Sequence, residues 1–561
     1  MTGSPDREEL AVPPVLPIPP DPPDPPVLPD PPVLPDPAVR PGTKDQGSGT
    51  AAGRGWIGGA LAGVAAGVLS LGLAEVVAGV VAPSSAPLIA LGDVAVDAVP
   101  PWLKDFAVQN FGTHDKQVLL GGALVIALLL SALAGILAVR GKQWGTWLVL
   151  ALGGGAALAA ATRPDATTLS VLPSVLGALV GMFVLNWLAP QIRQALEAPT
   201  GSVSAGLTRR RALLGLGGVL AGGIVAGGLG RALGGRLRGA QTSRASVRLP
   251  IAADPAPALP AGVSVNVPGV APFITPNPDF YRIDTALITP LLRAEDWSLR
   301  IHGLVEREVT ISYADLLKGA LVERDVTLMC VSNEVGGDLT GNARWLGLPI
   351  GPLLTRAGPK SNADMVLSKS SDGWTAGTPL KVLTDGRDAL LAIGMNGEPL
   401  PVEHGFPVRM VVPGLYGYVS ATKWVVELKV TRFDLNEGYW TPRGWSAEGP
   451  VKTESRFDVP QDLDTVKAGP VVLAGIAWAQ HRGIKGVEVR VDEGAWQPAT
   501  LGAEDTVDTW RQWFYRWEAA VGDYRLQVRA TDATGVVQTA TIASPAPDGA
   551  SGYHTINVEV K

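Results

Sequence analysis

The chain has 561 residues, room for about three or four domains at roughly 150 residues each, so one small fold is excluded. Its formal net charge of −6 provides no global positive field for gripping a phosphate backbone, and no nucleic-acid partner is expected. Charged residues make up only 17% and the mean hydropathy is +0.21, a balance that calls for a long membrane region. A single cysteine rules out an intrachain disulfide and any cysteine-rich zinc or iron–sulfur site, and five histidines leave little for metal-ligand clusters.

The chain opens on a tail, residues 1–53, in which 16 of the 48 prolines fall before residue 42. Prolines in near-repeats such as DPPDPPVLPDPP remove backbone donors and favour extended polyproline geometry, so this stretch reads as a disordered spacer.

Residues 54–232 read as a five-span membrane region. Apolar runs at Trp56 to Ala82, Gln117 to Val139, Trp144 to Thr162 and Leu169 to Pro190 are each about long enough for a hydrocarbon core of roughly 30 Å, and a glycine-rich fifth runs from Ala212 to Gly230. Arg140, Lys142, Arg193 and the run Arg209, Arg210, Arg211 would lie on the same side as the tail. The opposite connections hold Lys104, Lys116 and Arg163 diluted by Asp93, Asp97, Asp105 and Asp115. The expected topology has the tail cytoplasmic and everything after the fifth span outside a bacterial-type plasma membrane, with lipid as partner. Gly59, Gly63 and Gly67 at four-residue spacing predict a smooth helix face for close helix packing. Glu75 is the one charged side chain well inside a span, near its outer end. No histidine lies in a span, His114 being in a connection, so no bis-histidine haem and no electron-transfer role is expected of this bundle, which reads as an anchor. LTRRRALLGLGGVLAGG resembles a twin-arginine export signal ahead of the last span.

A basic, then Pro/Ala-rich linker is expected over 233–261, followed by a β-rich mixed domain over 262–460 whose short alternating segments are broken by Gly and Pro every ten or so residues. Residues 461–561, with GVEVRVDEGAW, DYRLQVRATDATG and HTINVEV, predict one β-sandwich. The fold class is thus an α-helical membrane bundle, a mixed α+β domain and an Ig-like sandwich.

The lone cysteine sits in DVTLMCVSNEVGGDLTGNARWLG, and further blocks read FYRIDTALITP and DALLAIGMNGEPLPVEHGFPVRMVVPGLYGYVSATKWV. From about Phe273 to the C-terminus these ordered blocks resemble the sulfite oxidase family of molybdopterin enzymes. The resemblance implies a molybdenum–molybdopterin cofactor cycling between Mo(VI) and Mo(IV), with Cys330 as the only protein ligand to the metal, Asn333 three residues on, and a C-terminal dimerisation domain. A thiolate is a soft, strongly donating ligand suited to such a centre. By the same resemblance His404, Arg409, Ala421, Thr422 and Lys423 bind the pterin, Arg344 supports it, and Arg282 lies close to the metal. Two arginines that follow the asparagine in sulfite oxidases are replaced by Glu334 and Val335, and Trp374 stands where the family has an active-site tyrosine. Charge reversal there predicts a neutral or larger substrate in place of a compact dianion, with Trp374, Trp440 and Trp445 as candidate pocket residues. With no CxxCH and no second cysteine, no haem is expected on this chain, and electrons must pass through a separate protein, quinone-linked or a cytochrome. The leading reading is a membrane-anchored oxidoreductase that moves an oxygen atom to or from a small substrate on the extracytoplasmic side. A non-catalytic cell-envelope binding protein and a cysteine-nucleophile hydrolase stay open beside it.

Overall fold

The N-terminal part of the described chain is helical: α1 Ser48–Val81, α2 Pro87–Ala98, α3 Asp115–Val139, α4 Trp144–Ala161, α5 Leu172–Glu197 and α6 Val203–Arg238. The computed structural model describes residues 48–100, 103, 110–111, 115–164, 166–197 and 203–561. The polyproline reading of residues 1–47 therefore lies outside the described residues, as do Lys104, Asp105 and His114. Long apolar runs rich in Ala and Leu propagate these helices, with Pro190 carried inside α5, and Pro87 starts α2 in the first turn, where its missing N–H is not needed. Five of the helices are long and apolar enough to cross a membrane. The short α2 was not expected from the sequence, because twelve residues between two longer runs fall below the length a span requires.

Helices that are apolar all round have no amphipathic stripe to direct packing, so small residues decide it. A Cβ on Gly63 would lie 1.9 Å from the Ser131 carbonyl oxygen, so α1 and α3 touch backbone to backbone. On another side of α1, a Cβ on Gly72 would lie 2.1 Å from the Gly223 carbonyl oxygen of α6. Ala62, Ala65, Ala66, Leu185 and Leu188 fill the centre. The turn after α3 carries Arg140 and Lys142, and the Arg193 guanidinium comes within 3.3 Å of a Cβ built on Gly141, placing these cations at one end.

The expected linker begins later than residue 233. Helix α6 continues to Arg238 and a further helix, α7 Ala240–Ser246, follows, since the first proline after the apolar run is Pro250. The Ser243 hydroxyl donates to Glu295 at 2.7 Å and accepts from the Ala294 N–H at 2.9 Å, docking α7 on the next domain.

That domain contains two sheets. In one, β3 Val322–Met329, β4 Thr340–Pro349, β7 Leu390–Met395 and β8 Glu398–Pro399 run in that order, with β9 Arg409–Val411 also paired to β7. In the other, the order is β2 Val309–Ser312, β1 Ser298–Gly303, β10 Val425–Thr431, β5 Met365–Ser370 and β6 Thr375–Pro379, antiparallel except for β1 with β10. Alternating burial along β1 and β2 and burial of β7 along its whole length direct Leu299, Ile301, Ile311 and Ile393 into one core, which Trp345 of β4 joins. Helix α8 Tyr313–Leu317 opens on a capping box between Ser312 and Asp315, and α9 Ile350–Ala357 follows β4.

The C-terminal sheets face each other across a shared core of Leu473, Trp513, Leu526, Val528 and Ile556. One is β11 Glu454–Val459, β13 Gly469–Trp478, β17 Arg511–Ala519 and β16 Thr500–Leu501; the other is β12 Thr465–Val466, β19 His554–Val560, β18 Gly522–Asp532, β14 Ile484–Val491 and β15 Gln497–Pro498. Because β11 pairs with β13 from Glu454 onward, the sandwich starts before residue 461.

Candidate active site

Cys330 follows β3 directly, where the strand leaves the core. Its N–H donates to the Leu339 carbonyl at 2.9 Å and its carbonyl accepts from the Asn333 N–H at 3.1 Å. The buried Asn333 side chain accepts from the Leu339 N–H at 2.7 Å, so both ends of the 330–339 loop are pinned from inside. From the sandwich, Arg456 donates to the Gly337 carbonyl at 2.6 Å. Burial pushes the Cys330 thiol above its ordinary pKa, while the Ser332 N–H, 3.4 Å from Sγ, pulls the other way.

Cys330 lines a cavity that encloses about 950 Å³ including its open mouth. Its walls are strongly aromatic, with Tyr281, Trp374, Trp424, Trp440 and Trp445 all present. Trp440 and Trp445 meet edge to face at 6.2 Å, and Trp445 lies 5.9 Å from Tyr418. Polar groups converge on the same space: Ser370 at the end of β5, His404 in the 3₁₀ turn Val402–His404, Arg409 at the start of β9, and Ala421 and Lys423 just before β10. Gly405, at φ 111°, holds these segments together, since a Cβ there would come within 3.0 Å of the Arg409 Cβ and 3.2 Å of the Lys423 Cα.

The electrostatics follow from burial. His404 is drawn down to about 3 by burial and by the neighbouring Arg409 and Lys423, so its imidazole is neutral at pH 7. Burial lowers Lys423 to about 8 despite its 2.7 Å bond to Asp284, and Arg409 falls to about 10 for the same first reason. Burial raises Asp284, yet Lys423, Lys116 and Arg282 together hold it well below the usual carboxylate range. Tyr281 is pushed up by burial and by the Cys330 thiolate.

Of the residues singled out from the sequence, Cys330, Trp374, His404, Arg409, Ala421 and Lys423 line the cavity together. Trp440 and Trp445 do too. Thr422 is buried behind the wall with its hydroxyl 2.7 Å from that of Ser368, and Asn333 shapes the cysteine loop without lining the cavity. Arg282 is turned aside: its Nε donates to Asp284 at 3.1 Å and its Nη2 to Thr289 at 2.9 Å. Arg344 points elsewhere, bidentate to Asp325 at 2.9 and 2.7 Å on the far side of β4. Glu334 is exposed and does not line the cavity, so the like-charge argument against a dianion loses the desolvated setting it needs. Tyr281, Asp284 and Ser370 were not picked out from the sequence. Tyr281 is a neighbour of Arg282 within the same quoted block, and that adjacency was the only available signal.

The donor set suits a bound anionic, ring-bearing cofactor. Arg409 is 5% exposed and makes no ion pair among the described residues; its guanidinium lies 5.1 Å from the centre of the Trp345 ring and reaches the carbonyls of Met410, His404 and Ala421 at 3.3 to 3.5 Å. A buried cation held this loosely costs several kcal/mol unless an anion joins it. Ser370 Oγ is buried at the same cavity with no hydrogen-bond partner among the described residues. A phosphate-bearing pterin would satisfy both, and Cys330 offers the thiolate a molybdenum centre takes.

A β-rich domain with one buried thiol, aromatic walls and cations awaiting an anion defines a molybdopterin-binding oxidoreductase domain. Residues 286–440 match the family described as the oxidoreductase molybdopterin binding domain. The uncharacterized oxidoreductase YuiH of Bacillus subtilis (strain 168) is 33% identical over 161 residues, 29% of this chain and 78% of that protein. Mitochondrial sulfite oxidase of Rattus norvegicus is 30% identical over 320 residues, 48% of this chain, and the match spans 58% of the sulfite oxidase. The chain belongs to the sulfite oxidase-type family of molybdopterin-dependent oxidoreductases. Among solved structures, the sulfane dehydrogenase SoxCD of Paracoccus pantotrophus aligns with a TM-score of 0.44 and 23% identity, covering 51% of this chain and 84% of that one.

Proposed function

We propose that this chain is a membrane-anchored molybdopterin oxidoreductase that transfers an oxygen atom to or from a small, neutral substrate outside the cytoplasm. The observation that carries the reading is the convergence of Cys330, Ser370, His404, Arg409 and Lys423 on one aromatic cavity. When bound, the molybdenum–pterin group supplies the two-electron couple and the oxygen-exchange chemistry. Cys330 would hold the metal. Arg409 and Lys423 would neutralise the pterin phosphate, and neutral His404 and Ser370 would hydrogen-bond to it. Tyr281 would keep a phenol proton beside Cys330 across the physiological range, available as a hydrogen-bond donor to substrate. The aromatic mouth of Trp374, Trp440 and Trp445 favours an apolar or neutral substrate over sulfite. Electrons would come from or go to a separate redox protein, and the sandwich is the proposed homodimer contact.

The membrane side is supported by where the domains meet. Asp97 near the end of α2, Lys116 at the start of α3, and Arg163 and Pro164 after α4 contact the catalytic domain or one another beside it. Arg140, Lys142 and Arg193 lie at the opposite end, as the positive-inside rule asks of a cytoplasmic face.

Molybdenum and pterin analysis of the detergent-extracted chain tests the cofactor, with both expected near one per chain. Steady-state assays with sulfite plus an artificial acceptor, and with a dialkyl sulfoxide plus a reduced dye, test the substrate class. Saturable sulfite oxidation at micromolar sulfite would refute the neutral-substrate reading.

A further inference from the structure

The helical region touches the rim of the catalytic cavity at three places. Lys116, at the start of α3, sits 2.5 Å from Oδ1 of the cavity residue Asp284 and donates to the Ala286 carbonyl at 2.8 Å. Asp97, near the end of α2, accepts from Tyr439 at 2.5 Å and from Arg443 at 3.2 Å, and the Tyr439 ring packs edge-on against cavity residue Trp440 at 5.1 Å. A Cβ on Gly373 would lie 2.5 Å from Pro164 Cβ, so the residue before Trp374 rests on the connection after α4.

The first contact joins the cavity's charge network. Asp284 Oδ2 accepts from Lys423 at 2.7 Å and from Arg282 at 3.1 Å, so three cations share one carboxylate whose side chain is 5% exposed. The cluster therefore carries surplus positive charge at a cavity wall. Lys423 spends one donor on Asp284 and one on the Glu403 carbonyl at 3.2 Å, and its ammonium lies 4.8 Å from the centre of the Trp424 ring; a third N–H meets no hydrogen-bond acceptor among the described residues and is open to a ligand. Lys116 on Oδ1 competes with Lys423 on Oδ2 for the same carboxylate charge. Without it, the surplus drops by one charge and Asp284 draws the Lys423 ammonium back from the cavity.

We propose that Lys116 is a positioning residue of the active site: by sharing Asp284 it keeps Lys423 available to the anionic group the cavity binds, which makes the helical region part of the catalytic apparatus as well as its anchor. This rests on reading the cavity as the molybdopterin site.

The test uses the full chain in detergent, comparing wild type with Lys116→Met, Lys116→Arg and, at the opposite end of the bundle, Lys142→Met. Pterin fluorescence and molybdenum per chain are measured on purification and during incubation, together with the unfolding midpoint. Lys116→Met is expected to lose pterin roughly fivefold faster than wild type at an unchanged midpoint, while Lys116→Arg and Lys142→Met retain it. Should the Met variant not fold, Lys116→Gln, which keeps a donor for Ala286, is expected to show the same loss. Retention by folded Met or Gln variants equal to wild type would overturn the proposal, and so would a loss that Lys116→Arg does not rescue. A wild-type chain that carries no pterin would instead overturn the molybdopterin reading beneath it.

Discussion

Glu454 opens β11 with both carboxylate oxygens buried and without hydrogen-bond partners among the described residues, and burial raises its pKa to about 8. A carboxyl raised in the folded state is neutral at no penalty below its unfolded pKa, and the folded chain loses stability as pH climbs from there towards the folded value. Glu454→Gln, which mimics the protonated acid, is expected to change little at pH 5 and to stabilise by about 2 to 4 kcal/mol above pH 8, measured by denaturant unfolding at both pH values. Cys330→Ser should fold but lose oxidoreductase turnover, since a hard oxygen replaces the soft thiolate; wild-type rates in the serine variant would remove Cys330 as the metal ligand. At this scale the candidate site was partly legible. Cys330, His404, Arg409 and Lys423 lie in contiguous blocks that can be read in one dimension, and they meet at one cavity. Arg282 and Arg344, chosen on the same ground, are drawn to Asp284 and Asp325 by ion pairs that only folding brings into reach. Asp284 stands two residues from Arg282 in a quoted block, but its partner Lys116 lies 168 residues away, so the charge network it holds was not legible.

Strands and helices obey different local rules along this chain. The glycines of α1 were expected to form a packing face, and the backbone approach at Gly63 turns that into a test. Gly63→Leu is expected to cost at least about 1 to 3 kcal/mol of overpacking and to lower the thermal midpoint of the detergent-solubilised chain. Gly155→Leu, with nothing within 4 Å of its Cβ, should leave that midpoint unchanged. A tolerated Gly63→Leu would show that α1 and α3 are not in backbone contact. The alternating segments of the sandwich announced strands, whereas its first strand, Glu454–Val459, went unassigned. Its pairing partner, Gly469–Trp478, is a tertiary fact that no local pattern carries. The short α2 was missed for a related reason: its place beside α4 and α3 comes from contacts with neighbours.

At the scale of the whole molecule, two predictions concern sidedness and acid stability. Fusions of a reporter active only outside the cytoplasm should give signal after Val270 and none after Gly141; the reverse pattern would invert the proposed topology. His404 is buried and His554 half-buried, and that burial draws them down to about 3 and about 4, below the ordinary histidine value near 6.5. The unfolded chain takes up protons as pH falls below about 6.5 while these two sites do not, so each removes about 1.4 kcal/mol per pH unit until its folded value is reached. The cofactor-free chain should therefore lose stability steeply between pH 6.5 and 4. A midpoint flat across that window would contradict the burial of both rings.

Short-range chemistry encodes the apolar runs long enough to span a membrane, the cation bias between their ends, the strand alternation, and a single cysteine framed by recognisable blocks, and all of these are legible in one dimension. Each depends on residues within a few turns or strands of one another. Tertiary structure alone decided which polar groups surround Cys330, that Arg344 and Glu334 stand away from the cavity, and that the helical region reaches its rim through Lys116, Asp97 and Pro164. Those outcomes turn on charges and backbones more than a hundred residues apart competing for the same partners, and the winner is set by distance and burial in the folded chain.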